Sequence, residues 1–251
     1  MKVVVIGGTG LIGSKLVAVL GERGHEAVPA APNTGVNTLT GEGLAEVLEG
    51  AATVVDVSNS PSFADAAVLE FFETSTRNLL GAEAAAGVGH HVALSVVGTE
   101  RLQESGYFRA KAAQEKLIEG SAVPYSVVHA TQFFEFARSM ADAADEDGTV
   151  RFAPVRFQPM AADDVAQAVA RVTDGAALNA VTEVAGPQQF RMDEFFRDVL
   201  AARHDPRPVV TDPDARYFGA RLGERTLLPG AGAVLGETRY STWPGRTAPG
   251  K

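Results

Sequence analysis

The segment MKVVVIGGTGLIGSKLVAVL, residues 1–20, decides the fold of this chain. It begins with the β-branched run from Lys2 to Ile6, which is typical of a strand buried on both faces of a parallel sheet. The glycine-rich turn GGTGLIG at 7–13 follows directly, and a helical pattern continues from Ser14. Glycine lets the backbone turn sharply and approach a pyrophosphate, and the next helix offers its free N–H groups to the phosphates. The segment therefore predicts the strand, turn and helix of a dinucleotide-binding unit.

Short apolar runs and helical patterns alternate from there to about residue 130. The predicted strands span residues 26–31, 53–57, 92–97 and 125–128, and the predicted helices span residues 44–48, 65–86 and 107–119. Such alternation requires parallel strands joined by crossover helices. We therefore predict an α/β fold with a Rossmann-type doubly wound parallel sheet and a cofactor-binding core over residues 1–130.

The pattern changes after residue 130. Helices are predicted at 133–144, 163–173 and 192–203, with a strand at 181–185 and an acidic turn at 145–148. Asp163 is expected to cap its helix by accepting hydrogen bonds from free N–H groups. The periodicity fades from Pro206 onward, and residues 245–251 are expected to be disordered. We predict a small, partly irregular C-terminal substrate lobe over residues 131–251, which forms a single domain with the core.

The composition excludes several classes of function. The 251 residues carry a formal net charge of −9, which opposes binding to nucleic acid and to anionic membranes. No apolar run approaches the roughly 20 residues that a membrane span needs, and the first residues do not form a signal peptide. There is no cysteine, and the five histidines lack metal-ligand spacing, so no metal site is expected. We expect a cytoplasmic monomer or homodimer that acts on a small molecule.

Three residues in the middle of the chain indicate acid–base chemistry. Ser95 lies near the end of a predicted strand, Tyr107 follows twelve positions later, and Lys111 comes four positions after that. The i, i+4 spacing puts the tyrosine and the lysine on one face of a helix. A neighbouring ammonium group favours the phenolate and lowers the tyrosine pKa from its ordinary value of about 10. The pattern therefore predicts that Tyr107 transfers a proton.

Together with the GGTGLIG turn, this Ser…Tyr-x-x-x-Lys pattern resembles the extended and atypical short-chain dehydrogenase/reductase families, especially their NmrA-like members. The resemblance covers roughly residues 1–200. It implies an NAD(P)H-dependent oxidoreductase that reduces a carbonyl or a quinone of a small organic substrate by hydride transfer. In that family pattern Ser95 holds the substrate oxygen, Tyr107 donates the proton, and Lys111 also bonds the nicotinamide ribose.

The choice of dinucleotide depends on the end of the second predicted strand. Residues 28–31 contain no Asp or Glu, whereas NAD-binding units usually place a carboxylate there against the ribose hydroxyls. We therefore favour NADP, with NAD as the alternative, and expect residues 32–35 to hold a 2′-phosphate. The competing interpretation of Asn33 is a simple turn residue.

The resemblance also implies two sets of binding residues. The cofactor set comprises Gly7, Gly10, Leu11, Ile12, Gly13, Asn33, Thr34, Asn37, Ser58, Asn59, Lys111 and Thr131. The substrate set comprises Ser60, Gln132, Phe133 and Met160. Two other functions stay open, namely an NmrA-like regulatory protein that senses dinucleotides without catalysis, and an enzyme of sugar epimerisation or dehydration.

Overall fold

The computed structural model describes residues 1–247. Its strands are β1 (Lys2–Ile6), β2 (Glu26–Ala30), β3 (Thr53–Asp56), β4 (His90–Val96), β5 (Tyr125–Ala130), β6 (Asp145–Glu146), β7 (Thr149–Phe152), β8 (Arg156–Phe157), β9 (Ala180–Ala185), β10 (Phe190–Arg191), β11 (Val209–Thr211), β12 (Arg216–Tyr217), β13 (Ala220–Arg221) and β14 (Val234–Leu235). Its α-helices are α1 (Leu11–Glu22), α2 (Leu44–Leu48), α3 (Asp65–Ala86), α4 (Gly106–Glu119), α5 (Ala137–Ala143), α6 (Ala162–Asp174) and α7 (Met192–Ala202). Short 3-10 helices span Pro32–Thr34, Phe134–Phe136, Tyr240–Thr242 and Pro244–Thr247.

A seven-stranded sheet forms the centre of the molecule. Its strand order is β14-β9-β5-β4-β3-β1-β2, and every neighbouring pair is parallel. The order reverses between β1 and β3, which creates a crevice at the carboxyl ends of these strands, where open α/β sheets bind ligands. The predicted doubly wound Rossmann-type fold is therefore confirmed.

The first strand shows why the apolar run at the start of the chain forms the middle of this sheet. Alternate side chains of β1 point to opposite faces, so Val3 and Val5 pack in one cluster with α1 and α6. Val4 and Ile6 pack in another cluster against α2 and α3. A strand that is covered on both faces must be apolar throughout, and this is what the sequence supplies.

The second half of the chain differs from the prediction in its local elements. The segment predicted as one helix at 133–144 begins with a 3-10 turn, and its α-helix starts only at Ala137. The acidic stretch at 145–148 lies in a tight β6–β7 hairpin, and β11 pairs with β7 on its other side. The region after Pro206 supplies β14, which adds a parallel strand to the central sheet beside β9.

Two smaller expectations for this half are also corrected. Asp163 does not cap α6, because its carboxylate pairs with Lys15 at 2.7 Å. The N–H of Ala162 instead donates to both carboxylate oxygens of Glu135 at 3.1 Å, a partner that is distant in sequence. Of the stretch expected to be disordered, residues 245–247 belong to a 3-10 helix, and residues 248–251 lie outside the described part of the chain.

An aromatic core holds the second half together. It includes Phe134, Phe157, Phe195, Phe196 and Tyr240, and it lies beyond the carboxyl edge of the sheet. Across residues 1–247, none of the helices combines the length and apolar character that crossing a membrane requires.

Candidate functional site

The glycine-rich turn joins β1 to α1 at the carboxyl edge of the sheet. Gly7 has a φ of +76°, and a Cβ at this position would lie 2.9 Å from the backbone of Ser58, in the loop after β3. A Cβ on Gly13 would lie 2.6 Å from Gly8 Cα and would overlap the Gly7 carbonyl oxygen. These two glycines therefore let the helix and the neighbouring loop approach the turn, which is the packing that dinucleotide-binding units require.

The first turn of α1 offers backbone donors for an anion. Within residues 1–247, the N–H groups of Leu11, Ile12 and Gly13 have no backbone acceptor, as expected at a helix start. Gly10 occupies the N-cap position without a side chain, and the first turn carries no acidic residue. Leu11 is exposed, whereas Ile12 is buried in the core. The positive end of the helix dipole therefore faces an open surface suited to phosphate.

The loop after β2 lies beside this turn. The Asn33 side-chain oxygen accepts a hydrogen bond from the Thr9 hydroxyl at 3.1 Å, so that this oxygen ties the loop to the glycine turn. The Thr34 hydroxyl bonds the backbone of Ala31, and the Asn37 oxygen accepts from the Leu39 N–H at 2.9 Å. The amide nitrogens of Asn33 and Asn37 have no hydrogen-bond partner among the described residues and stay available to a ligand.

The loop after β3 contributes a second group. The Ser58 N–H donates to the buried Asp56 carboxylate at 2.9 Å, and the Ser58 hydroxyl is buried without a hydrogen-bond partner among the described residues. Asn59 accepts from the Ser60 N–H, and the Ser60 hydroxyl donates to the Ser62 carbonyl at 2.8 Å. Ser60 is therefore engaged inside its own turn, whereas Ser58 has an unused hydroxyl beside the glycines.

Ser95 lies on the face of β4 that packs against α4. Its hydroxyl donates to the Glu115 carboxylate, which also bonds His129 Nε2 at 3.0 Å. Burial opposes the charge on Glu115, but the hydrogen bonds from His129 and Ser95 outweigh it and lower the pKa of this carboxyl. Glu115 follows Tyr107 by eight residues, which corresponds to about 12 Å along a helix axis. The structure therefore does not bring the Ser95 hydroxyl to Tyr107.

Lys111 reaches into the interior from α4. Its ammonium donates to the Leu94 carbonyl at 3.0 Å and to the Gln114 side chain, and it lies 4.4 Å from the centre of the Phe72 ring. Gln114 in turn donates to Asp56 at 3.0 Å. Burial lowers the pKa of Lys111 to about 8, against the opposing effect of Asp56 and Glu115. Two of the three ammonium donors are thus in use.

Tyr107 lies in the first turn of α4, at the carboxyl edge of the sheet. It is partly buried against four aromatic rings, those of Phe63, Phe72, Phe108 and Phe218. Burial raises the pKa of its hydroxyl, which is the opposite direction from the one expected beside a free ammonium group. An ordinary tyrosine is already protonated at neutral pH, so the raised pKa makes Tyr107 a weaker acid and does not match the lowering that Lys111 was expected to cause.

The segment after β5 contains the remaining predicted residues. Thr131 is buried and donates its hydroxyl to the Gln158 carbonyl at 2.7 Å, and Met160 is buried in the core. Phe133 stacks on Phe136, with ring centres 5.5 Å apart. Gln132 is only 6 % exposed, and neither end of its amide makes a hydrogen bond of ordinary geometry within residues 1–247, although the amide faces the Tyr217 hydroxyl, whose pKa it lowers against the larger effect of burial. A buried amide with unmet hydrogen-bonding capacity is a candidate ligand-binding group.

Four contributors to this region were missed by the sequence reasoning: Phe63, Gln114, Glu115 and Phe218. Gln114 and Glu115 lie one turn after Lys111 on α4, so helical spacing from that residue was a usable signal. Phe63 lies in an irregular loop, and Phe218 comes from a hairpin almost 100 residues beyond the end of α4. No local pattern connects these two rings to Tyr107.

The comparisons with known proteins support the fold. No protein-family model matches the chain, and no curated protein matches it. Among solved structures, a double mutant of the dTDP-glucose 4,6-dehydratase from Streptomyces venezuelae with NAD bound aligns over 98 % of this chain and 95 % of its own, with a TM-score of 0.75 and 15 % identity. A dTDP-4-dehydrorhamnose reductase from Bacillus anthracis in complex with NADP aligns over 84 % of each chain, with a TM-score of 0.67 and 14 % identity.

A third similar structure is a short-chain dehydrogenase/reductase superfamily protein from Agrobacterium tumefaciens with bound NAD. It aligns over 84 % of this chain and 85 % of its own, with a TM-score of 0.67 and 17 % identity. The chain therefore shares the fold of these three proteins, a Rossmann-type α/β fold of the kind that the sequence motifs predicted. The comparisons do not single out the NmrA-like members of the short-chain dehydrogenase/reductase families.

Proposed function

We propose that this protein is an NAD(P)H-dependent oxidoreductase that reduces a carbonyl or a quinone of a small organic substrate, with NADP as the preferred dinucleotide. The observation that carries the proposal is the set of unpaired polar groups at the crevice. Free N–H groups of α1, the Ser58 hydroxyl and the Gln132 amide all lie at the carboxyl edge of the sheet. The similar structures solved with NAD or NADP point in the same direction.

The residues present fit a dinucleotide. The glycine turn leaves space that a Cβ would fill, and the start of α1 is suited to the pyrophosphate. The absence of a carboxylate at residues 28–31 removes a repulsion against a 2′-phosphate, for which the Asn33 amide nitrogen is a donor. Ser58 and Gln132 would hold the nicotinamide half. A reduced nicotinamide supplies a hydride to an acceptor carbon when it is bound.

The chain's own contribution is to position the acceptor and to supply a proton. Tyr107, in the first turn of α4 at the carboxyl edge of the sheet, is the proposed donor of a proton to the substrate oxygen. Lys111 retains one ammonium donor beyond its two structural bonds, and that donor is the one for the ribose. Ser95 takes its predicted role of holding the substrate oxygen only if its hydroxyl leaves the Glu115 carboxylate.

The proposal is tested by fluorescence titration with NADPH and with NADH on a matched pair of variants, Gly10→Asp and Gly10→Asn. A side chain fits at position 10, where the added Cβ would have a single neighbour, the Gly7 oxygen at 3.3 Å. Both residues are good N-caps, so both variants keep their fold. We expect Gly10→Asp to lose affinity by at least about tenfold relative to Gly10→Asn, because a carboxylate repels the pyrophosphate. Equal binding by the two variants, or no saturable binding by the wild type, contradicts the proposal.

A second candidate function is a dinucleotide-sensing protein without catalysis. It is favoured by one observation, that Ser95 and two donors of Lys111 are engaged in internal hydrogen bonds away from Tyr107. Under this alternative NADPH binds, but a screen of ketones, aldehydes and quinones gives no substrate-dependent oxidation of NADPH. Turnover that disappears in Tyr107→Phe eliminates it.

A further inference from the structure

The tip of the β12–β13 hairpin holds a phenylalanine in a conformation that few phenylalanines adopt. Tyr217 pairs with Ala220, so that Phe218 and Gly219 form a two-residue turn, and their φ angles are +47° and +84°. Positive φ at both central positions is the requirement of a type I′ turn, for which Asn-Gly is a favoured sequence. A bulky residue at the first position strains the backbone.

Burial does not compensate for this strain, since Phe218 remains 42 % exposed. Its ring instead stacks on Tyr107, with centroids 5.8 Å apart and planes 29° apart. It also lies 5.7 Å from the ring of Phe63, which is 51 % exposed and lies 5.5 Å from Tyr107. The three rings, which we call the aromatic clamp, form a partly exposed apolar surface around the proposed proton donor.

The charged groups next to the aromatic clamp are arranged in pairs. Arg109 binds Asp65 at 2.6 Å, and Arg216 binds Glu104 at 3.0 Å. A phosphate group at this surface would have to displace a carboxylate from one of these arginines. The surroundings therefore favour an uncharged ligand over a sugar nucleotide.

We propose that the aromatic clamp binds the substrate of the proposed reductase, and that this substrate is a planar, uncharged aromatic or quinonoid carbonyl compound. A planar ring inserts between Tyr107 and Phe218, so that each of its faces stacks on one of these rings in the offset geometry that aromatic pairs prefer. The hairpin tip moves aside, and the carbonyl oxygen comes next to the Tyr107 hydroxyl. The inference rests on the proposed function, and it assigns Phe218 and Phe63 as specificity-determining residues.

The test compares 9-fluorenone with dicyclohexyl ketone, two ketones with the same number of carbon atoms, of which only the first is planar. Binding is measured by isothermal titration calorimetry, with and without saturating NADPH, so that the readout does not depend on turnover. Phe218→Asn removes the ring and creates the favoured turn sequence, and Phe218→Tyr keeps a ring. Leu178→Ala, which alters an exposed leucine just before β9, is the matched control.

We expect the wild type, Phe218→Tyr and Leu178→Ala to bind 9-fluorenone at least about tenfold more tightly than dicyclohexyl ketone. Phe218→Asn is expected to lose at least about tenfold in 9-fluorenone affinity, to keep its NADPH affinity and to melt at a higher temperature. A gain in melting temperature together with a loss of ligand shows that the ring is kept for binding and not for folding.

Three results overturn the inference: equal affinity for the two ketones, 9-fluorenone affinity of Phe218→Asn within about twofold of the wild type, or a lower melting temperature for that variant. The NADPH titration distinguishes this failure from failure of the proposed function. If NADPH binds and 9-fluorenone does not, the aromatic clamp is wrong as a substrate site. If 9-fluorenone binds and NADPH does not, the proposed reductase function is wrong, whereas the aromatic clamp is still supported as a ligand-binding site.

Discussion

The contact between Gly13 and the glycine turn allows a quantitative test, with another glycine of α1 as its control. Gly13→Ala would place a methyl group 2.6 Å from Gly8 Cα and in overlap with the Gly7 carbonyl. Both neighbours are backbone atoms, so no side chain can rotate away, and α1 must shift from β1. Gly21→Ala adds the same methyl group to the same helix, with no atom within 4 Å.

The expected free energies follow from these contacts. Overpacking of this kind lowers the free energy of unfolding by up to about 3 kcal/mol. Replacing glycine with alanine inside a helix raises it by roughly 1 kcal/mol. Gly13→Ala should therefore lose about 2 kcal/mol of unfolding free energy, whereas Gly21→Ala should gain about 0.5–1 kcal/mol. For a chain of this length, the loss lowers the melting temperature by roughly 4–8 °C.

Urea unfolding followed by circular dichroism measures the change in unfolding free energy of each variant. An NADPH titration measures the cofactor affinity of each variant, which depends on where the first turn of α1 lies. The shift of α1 should weaken NADPH binding by Gly13→Ala, whereas Gly21→Ala should bind as the wild type does. Equal stabilities of the two variants would refute the argument that backbone contact at Gly13 sets the distance between helix and sheet.

Three further predictions concern single side chains. Tyr107→Phe should abolish reduction of a carbonyl substrate and leave NADPH affinity within about twofold of the wild type, as steady-state kinetics and titration would show; wild-type turnover would remove the proton-donor role. Burial alone would raise the pKa of Asp193, but hydrogen bonds from Thr211 and Arg191 hold it below its ordinary value. The Asp193 carboxylate therefore stabilises the fold fully at pH values above its pKa in the unfolded chain. This stabilisation is lost as the pH falls through its lower pKa in the folded protein. Asp193→Asn should cost about 2–3 kcal/mol in urea unfolding at pH 7 and much less near pH 3, and a pH-independent difference would contradict this sign. Glu83→Ala, which leaves the fully buried His91 without its partner at 2.8 Å, should cost about 3–5 kcal/mol, and a loss below about 1 kcal/mol would show that the pair is dispensable.

Local sequence signals were sufficient for the first half of the fold. The helix predicted at 65–86 matches α3 at both ends, because a long periodic pattern is followed by Gly87, which takes a φ of +72°. In the second half the strand predicted at 181–185 matches β9, but the short strands β8, β10, β12 and β13 were missed, because they have two residues each and show no period. The cap of α6 comes from Glu135, and distant partners of this kind leave no local signal.

The candidate site was predicted less completely than the fold. Spacing placed Tyr107 and Lys111 on one helix, but it could not show which carbonyl would accept from the lysine. The face of β4 that carries Ser95 was also undetermined, because a fully buried strand has no polar side. The structure directs Ser95 toward Glu115, whereas the sequence comparison directed it toward a substrate oxygen.

The position of β14 has a consequence for how the second half of the chain is attached to the sheet. The chain leaves the central sheet at β9 and returns to it at β14, where the Gly236 N–H donates to the Ala185 carbonyl at 2.8 Å. Two bonds from Thr238 to Asp164 fasten the returning segment to α6. The stretch between β9 and β14, including the Phe218 hairpin, is thus an insertion anchored at both ends on one sheet edge. Because both of its ends are fixed on the sheet and its aromatic residues pack in the core around Phe134 and Phe157, this insertion cannot separate from the sheet as a module on a single linker would.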